Sequence, residues 1–139
     1  MFKKILVPTD LSAKSKEPLS IAVELATRSK GEVDLIHVIE LIPNTFFEEF
    51  EDFYAKLEKH AEKELALLTA PYQGQRIRIN REIIYGNRVE EILRFAQNRQ
   101  IDLIIMNSHK IDFDNPTHGW GTISYKVVAL SQCPTMLVK

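Results

Sequence analysis

Four short, nearly continuous apolar runs recur along the chain: Ile5 to Val7, Val33 to Val38, Leu103 to Met106 and Met136 to Val138. Strands buried on both faces read this way, because neither side of the pleat meets water. Between the first two runs, Ser15 is a candidate cap and Pro18 falls in a first turn, where its missing N–H costs little. Leu19, Ala22, Val23, Leu25 and Ala26 then supply an apolar helix face, and Gly31 is expected to stop the helix. This is one strand–helix–strand unit.

From Phe46 to Leu68 the residues Phe46, Phe50, Phe53, Leu57, Ala61, Leu65 and Leu68 fall three or four apart among Glu, Asp and Lys. That spacing predicts a long amphipathic helix ended by Pro71 and Gly74. Arg76 to Tyr85 alternates Ile77, Ile79, Ile83 and Tyr85 with polar neighbours, which suits a half-exposed strand at a sheet edge. Gly86-Asn87 opens a further helix. Asn87 can cap it with Glu90 three residues on, and Val89, Ile92, Leu93 and Ala96 form its buried face. Strands alternating with helices through the whole chain predict an α/β fold: one parallel sheet with helices on both faces and right-handed crossovers. Ligands bind such sheets beyond the carboxyl ends of the strands, here Pro8-Thr9-Asp10, Val38-Ile39-Glu40 and Met106-Asn107-Ser108.

With 139 residues the chain suits one domain, and 45% hydrophobic with 27% charged residues is the balance of a folded, soluble protein. The net charge of -1 offers no field for nucleic-acid phosphates, so nucleic acid is not an expected partner. The start carries only the short run Ile5-Leu6-Val7 before Pro8, and no run approaches a membrane span of roughly 20 apolar residues. A cytoplasmic protein with no membrane association is expected. One cysteine, Cys133, leaves no internal disulfide and no zinc-spaced pair, which removes redox and structural-metal roles.

From end to end the residues resemble the universal stress protein family. Lys4-Ile5-Leu6-Val7-Pro8-Thr9-Asp10 looks like the family's first strand with its terminal Asp, and Asp34-Leu35-Ile36-His37-Val38 like its second. Gly86, Glu90-Glu91-Ile92-Leu93, Ala96 and Asp102-Leu103-Ile104-Ile105-Met106 are similar to its third helix and fourth strand. Gly121-Thr122-Ile123-Ser124 and Cys133-Pro134-Thr135-Met136-Leu137-Val138 resemble the start of its last helix and its last strand. The resemblance implies a Rossmann-like, doubly wound, five-stranded sheet in the order 3-2-1-4-5, and a homodimer through the last strand. It also implies a small stress-response module, and some members bind ATP or a related adenine nucleotide.

In binding members the ends of strands one and two hold adenine and ribose, which would fall to Pro8, Thr9, Asp10 and Val38. A loop of the form G-x2-G-x9-G-[ST] after strand four holds the phosphates. Glycines there let the backbone approach a phosphate, and the following helix start offers free N–H groups. Here Asn107 and Lys110 stand at the first two glycine positions, and ten residues rather than nine separate Lys110 from Gly121. The remaining site set is Met106, Asn107, Ser108, Lys110, Gly121, Thr122, Ile123 and Ser124. Asn tolerates left-handed φ, Lys110 can place a cation beside a phosphate, and Thr122 and Ser124 offer hydroxyls. Asn115, Pro116 and Gly119 suit an ordered loop, which either replaces the lost glycines or fills their pocket.

Several residues carry two readings. Asp10 can accept from a ribose or cap the turn that Ser12 and Ser15 continue. Lys110 is a phosphate partner or a solvated loop lysine. His109 and His118, without a carboxylate or cysteine at ligand spacing, read as surface residues rather than metal ligands. His37 reads as core or second-face, Trp120 as loop packing, and Cys133 as a small buried hydrophobe. The Phe stripe at 46, 47, 50 and 53 is too apolar for a lone exposed helix and marks core or a partner-covered face. No Ser-His-Asp order or complete phosphate loop announces an enzyme. Three functions stay open: a regulatory module with or without adenine nucleotide, a slow ATP-hydrolysing switch, and a dimer whose pocket is vestigial.

Overall fold

Ile5, Leu6 and Val7 have no exposed surface at all. The strand they form, β1 (Lys4–Pro8), lies at the centre of a five-stranded sheet in the order β3-β2-β1-β4-β5. The computed structural model describes residues 1–108, 114 and 122–139. The other strands are β2 (Glu32–Ile39), β3 (Arg78–Tyr85), β4 (Leu103–Asn107) and β5 (Thr135–Val138), and every pairing is parallel. The helices are α1 (Lys16–Ser29), α2 (Glu51–Thr69), α3 (Arg88–Asn98) and α4 (Ile123–Leu130). The 3-2-1-4-5 order expected from the resemblance is therefore the order observed.

Alternation along the strands makes two cores. Ile5, Val7, Val33, Leu35, Leu103 and Ile105 point to one face, where Leu19, Ala22, Val23 and Ala26 of α1 and Leu65 and Leu68 of α2 cover them. Leu6, Ile36, Val38, Ile104 and Met106 point to the other, under Ile92, Phe95 and Ala96 of α3 and Val127 of α4. Both faces are dry, which is why the central strands read as unbroken apolar runs. No described helix is long and apolar enough to cross a membrane.

Three local expectations are corrected. Ser15 makes no side-chain cap to α1; it sits in a helical conformation at the end of a single 3₁₀ turn (Ala13–Ser15), and its hydroxyl is used elsewhere. The left-handed residue that ends α1 is Lys30 (φ 58°), not Gly31. The Phe46-to-Leu68 stripe is not one continuous helix face. A 3₁₀ turn (Phe47–Phe50) precedes α2, whose buried residues include Tyr54, Ala61, Leu65 and Leu68. The 3₁₀ turn advances with about three residues per turn rather than about 3.6, so the phase of the Phe spacing is lost at its junction with α2. By contrast Asn87 caps α3 as its sequence suggests, its Oδ1 accepting from the Glu90 N–H at 3.1 Å. β3 is the half-exposed edge strand, beginning at Arg78 rather than Arg76.

Candidate functional site

Thr9, one residue past β1, is almost wholly buried and bonded through every polar atom it has. Its N–H donates to the Ile36 carbonyl at 2.9 Å, which continues the β1–β2 ladder past the strand end. Its carbonyl accepts from His37 Nδ1 at 2.8 Å. A carbonyl can only accept, so Nδ1 carries the proton. Burial, with the nearby Arg88 and His60 charges, holds the His37 pKa below its ordinary value against the Thr9 carbonyl and Asp10, so the ring is neutral near pH 7. Sequence reading placed His37 as core or second-face; it is a half-buried strand residue whose ring also bonds the end of the neighbouring strand.

The side chains continue the lock. The Thr9 hydroxyl donates to Ser15 Oγ at 2.6 Å and accepts from the Leu11 N–H at 2.9 Å. Ser15 Oγ in turn lies 3.4 Å from Asp10 Oδ1, which also accepts from the Ser12 N–H at 2.9 Å. These bonds hold Leu11 at φ 70°, a left-handed conformation that leucine rarely adopts. Partial burial pushes the Asp10 carboxyl up, but the Ser12 and Ser15 contacts outweigh it and the pKa lies below the usual carboxylate value. Of those contacts, the Ser12 hydroxyl lies outside hydrogen-bond geometry, its buried oxygen having no hydrogen-bond partner among the described residues, so it acts by proximity alone. Asp10 is therefore an anion fixed at the rim: it closes the turn, the second of its sequence readings, and it lines a cavity.

That cavity, about 290 Å³, opens beyond the carboxyl ends of β1, β2 and β4. Ile36, Val38, Ile92 and Met106 give it an apolar wall. The polar lining is Thr9, Asp10, Ser15, Asn107, Ser108 and the start of α4, together with the cations Lys14 and Arg88. Thr122 Oγ1 and Ser124 Oγ are 3.3 Å apart, and Ser124 Oγ lies 3.5 Å from Ser108 Oγ, a row of hydroxyls along one side. Arg88 is pinned in turn: its Nε meets Glu40 Oε1 at 3.2 Å, across the gap between the end of β2 and the start of α3.

Ten of the residues singled out from sequence line this one cavity: Pro8, Thr9, Asp10, Val38, Met106, Asn107, Ser108, Thr122, Ile123 and Ser124. Lys110 and Gly121 lie outside the described residues, as do His109, Asn115, Pro116, His118, Gly119 and Trp120. Sequence reasoning missed Lys14, Arg88, Ile36 and Ile92, and assigned Ser15 only a capping role. Arg88 and Ile92 were within reach, since they stand four apart on a helix that starts at the carboxyl end of the sheet. For Lys14 no signal existed. Among the described residues, no group of three or more His, Cys, Asp and Glu side chains is arranged to hold a metal ion.

An open, all-parallel sheet with helices on both faces and a cavity at the β1/β4 switch point is the doubly wound α/β class. The model of the universal stress protein family matches residues 1–139, so the chain belongs to the universal stress protein family. It is 29% identical over 154 residues to the universal stress protein YxiE of Bacillus subtilis, covering 100% of both. The solved structure of MJ0577 from Methanocaldococcus jannaschii is 29% identical and matches with a TM-score of 0.83, covering 100% of this chain and 96% of that one. A universal stress protein from Archaeoglobus fulgidus, solved in complex with dAMP, shares the fold at 15% identity and a TM-score of 0.69, with 100% of both chains covered.

Proposed function

We propose that this universal stress protein acts as a small regulatory module and binds an adenine nucleotide in the cavity beyond β1, β2 and β4. The observation that carries the reading is the lining of that cavity, which joins the apolar side chains Ile36, Val38, Ile92 and Met106 to a row of hydroxyls and one fixed carboxylate. Apolar side chains of this kind suit a purine ring, and a rigid carboxylate accepts from ribose hydroxyls. At about 290 Å³ the cavity is at the small end of the roughly 300–1,000 Å³ typical of small-molecule pockets. It suits a base and sugar, with phosphates reaching toward the start of α4 and the cation Lys14. The dAMP bound by the Archaeoglobus protein is the same class of ligand on the same fold.

Binding without turnover is the function proposed. A general base works best with a pKa near the working pH, and Asp10 is held on the acidic side of an ordinary carboxylate. It is suited to accept hydrogen bonds and poorly suited to take a proton. Calorimetric titration of the full chain with ATP, AMP and adenosine tests the reading. Saturable binding is expected, with Asp10→Asn weakening it about tenfold and leaving the melting temperature nearly unchanged, as for loss of a charge-assisted hydrogen bond. No heat and no thermal shift with any of the three at millimolar concentration would reject the nucleotide site.

A further inference from the structure

The Phe stripe had two readings, core or partner-covered, and the structure excludes the first for Phe46 and Phe53. Phe46 is 74% exposed and Phe53 48%, and Phe47 between them is 43% exposed. These rings are not on a loose segment. Phe47 stacks on Tyr54 with centroids 4.9 Å apart and planes 6° from parallel, and meets the edge of Tyr85 at 5.6 Å. Tyr54 is buried, and its hydroxyl accepts from the Ile42 N–H at 2.8 Å. The Tyr85 hydroxyl donates to Glu58 at 2.8 Å, and burial together with Glu58 pushes its pKa up to about 12, so this anchor does not ionise in the physiological range. Phe53, with its centroid 5.7 Å from that of Tyr54, joins Phe47 on an aromatic base fixed to both α2 and β3, and Phe46 precedes Phe47 in the chain.

Charge decides what such a patch would receive. Between Ile39 and Lys56 the chain carries Glu40, Glu48, Glu49, Glu51 and Asp52 and no Lys, Arg or His. Glu40 is paired with Arg88, while none of the other four forms an ion pair with a described residue, and all four are exposed. These four acids, adjacent in sequence to the rings, outweigh the single Lys56 one turn beyond Phe53, and an apolar patch of net negative charge complements aliphatic side chains flanked by cations. A second copy placed on the same patch by a two-fold axis would set acid against acid, which disfavours self-association there.

We infer that the Phe46–Phe47–Phe53 face is a docking surface for a basic, amphipathic helical segment of another protein. Phe47 and Phe53 are held against Tyr54, so little of their side-chain entropy is lost on docking, and aromatic anchors of this kind concentrate binding energy. The site is distinct from the nucleotide cavity and does not depend on its being occupied.

The test uses the full chain and a synthetic amphipathic helix of leucine and lysine, about five turns long. A leucine–glutamate counterpart serves as control. Backbone resonances should shift around Phe46, Phe53 and Tyr54 with the lysine peptide and not with the glutamate one. Phe46→Ser and Phe53→Ser, which remove exposed side chains and leave Tyr54 in place, should each weaken binding about tenfold. Glu51→Lys combined with Asp52→Lys should weaken it at least as much, and added salt should weaken the wild type. Shifts scattered over the molecule, or binding indifferent to these substitutions, would overturn the proposal. So would a smaller sedimenting species for the unliganded Phe46→Ser protein, since that would make the face a contact between copies.

Discussion

Asp34 has 2% of its surface exposed, lies on the same sheet face as Ile36, and finds one amide, Asn80 Nδ2 at 3.0 Å. Burial raises its pKa, and the neighbouring Glu32 adds to the rise, while Asn80, Lys4 and Arg99 only partly counter it. A carboxyl whose folded pKa is raised contributes stability that is fully present below its unfolded value and is lost as pH rises through the folded pKa. At neutral pH the protein therefore carries an uncompensated part of the charge's desolvation. Asp34→Asn keeps an oxygen to accept from Asn80 and removes that charge. It should raise the melting temperature by a few degrees near pH 7, and the advantage should shrink as the pH falls toward 3.8. Calorimetric melts of both proteins across that range check the sign, and a destabilised variant at pH 7 would show that Lys4 and Arg99 outweigh burial.

At the scale of elements, the α1–β2 turn divides between Lys30 and Gly31 the helix ending that the sequence assigned to Gly31 alone. Lys30 takes the left-handed φ, and the Gly31 N–H donates back to the Ala26 carbonyl at 2.8 Å, which closes the helix end. Gly31 is required for another reason: a Cβ there would stand 2.3 Å from the Lys3 carbonyl oxygen and 2.6 Å from Lys3 Cα. Those are backbone atoms leading into β1, and they cannot rotate aside. Gly31→Ala should cost about 1–3 kcal/mol, whereas Lys30→Gly should be neutral or gain a few tenths. Urea denaturation of the two variants separates the roles, and similar stabilities would show that the strand start yields. The same contact bears on the site, because the Glu32 N–H pairs with the Lys3 carbonyl at 2.8 Å and sets the β1–β2 register that carries Thr9 to Ile36.

For the whole molecule, the strand order places β3 and β5 at the two edges of the sheet, neither paired on its outer side with another described strand. β3 presents Arg78 and Arg81 as exposed charges, which discourage strand pairing. β5 is short and apolar, and its Met136 is 37% exposed. We expect a homodimer formed through β5, and sedimentation should give a dimer for the wild type and a monomer for Met136→Lys. A monomeric wild type, or a dimer that survives the substitution, would place the contact elsewhere or remove it. Tyr85 of the aromatic face belongs to β3, at the opposite edge, so a β5 dimer would leave that face open.

What the residues alone determined is the set of elements and their layering. Burial on both faces forces unbroken apolar runs on strands such as Ile5 to Val7, and the cap at Asn87 is a local bond between positions three apart. These are short-range consequences of side-chain chemistry, and they read directly. Much of the candidate cavity was legible too, because strand ends in a parallel sheet converge whatever the details of packing. Tertiary structure alone decided that Ser15 serves Thr9 and Asp10 instead of a helix cap, that Arg88 reaches Glu40, and that Phe46 and Phe53 face outward. The Arg88–Glu40 pair depends on how two elements distant in sequence are set against each other, while the Ser15 contacts, only five and six residues long, depend on how the turn after β1 folds back. Ile5 of β1 lies beside Leu103 of β4 because a crossover carries the chain there, and no periodicity within either segment specifies which neighbour it will meet.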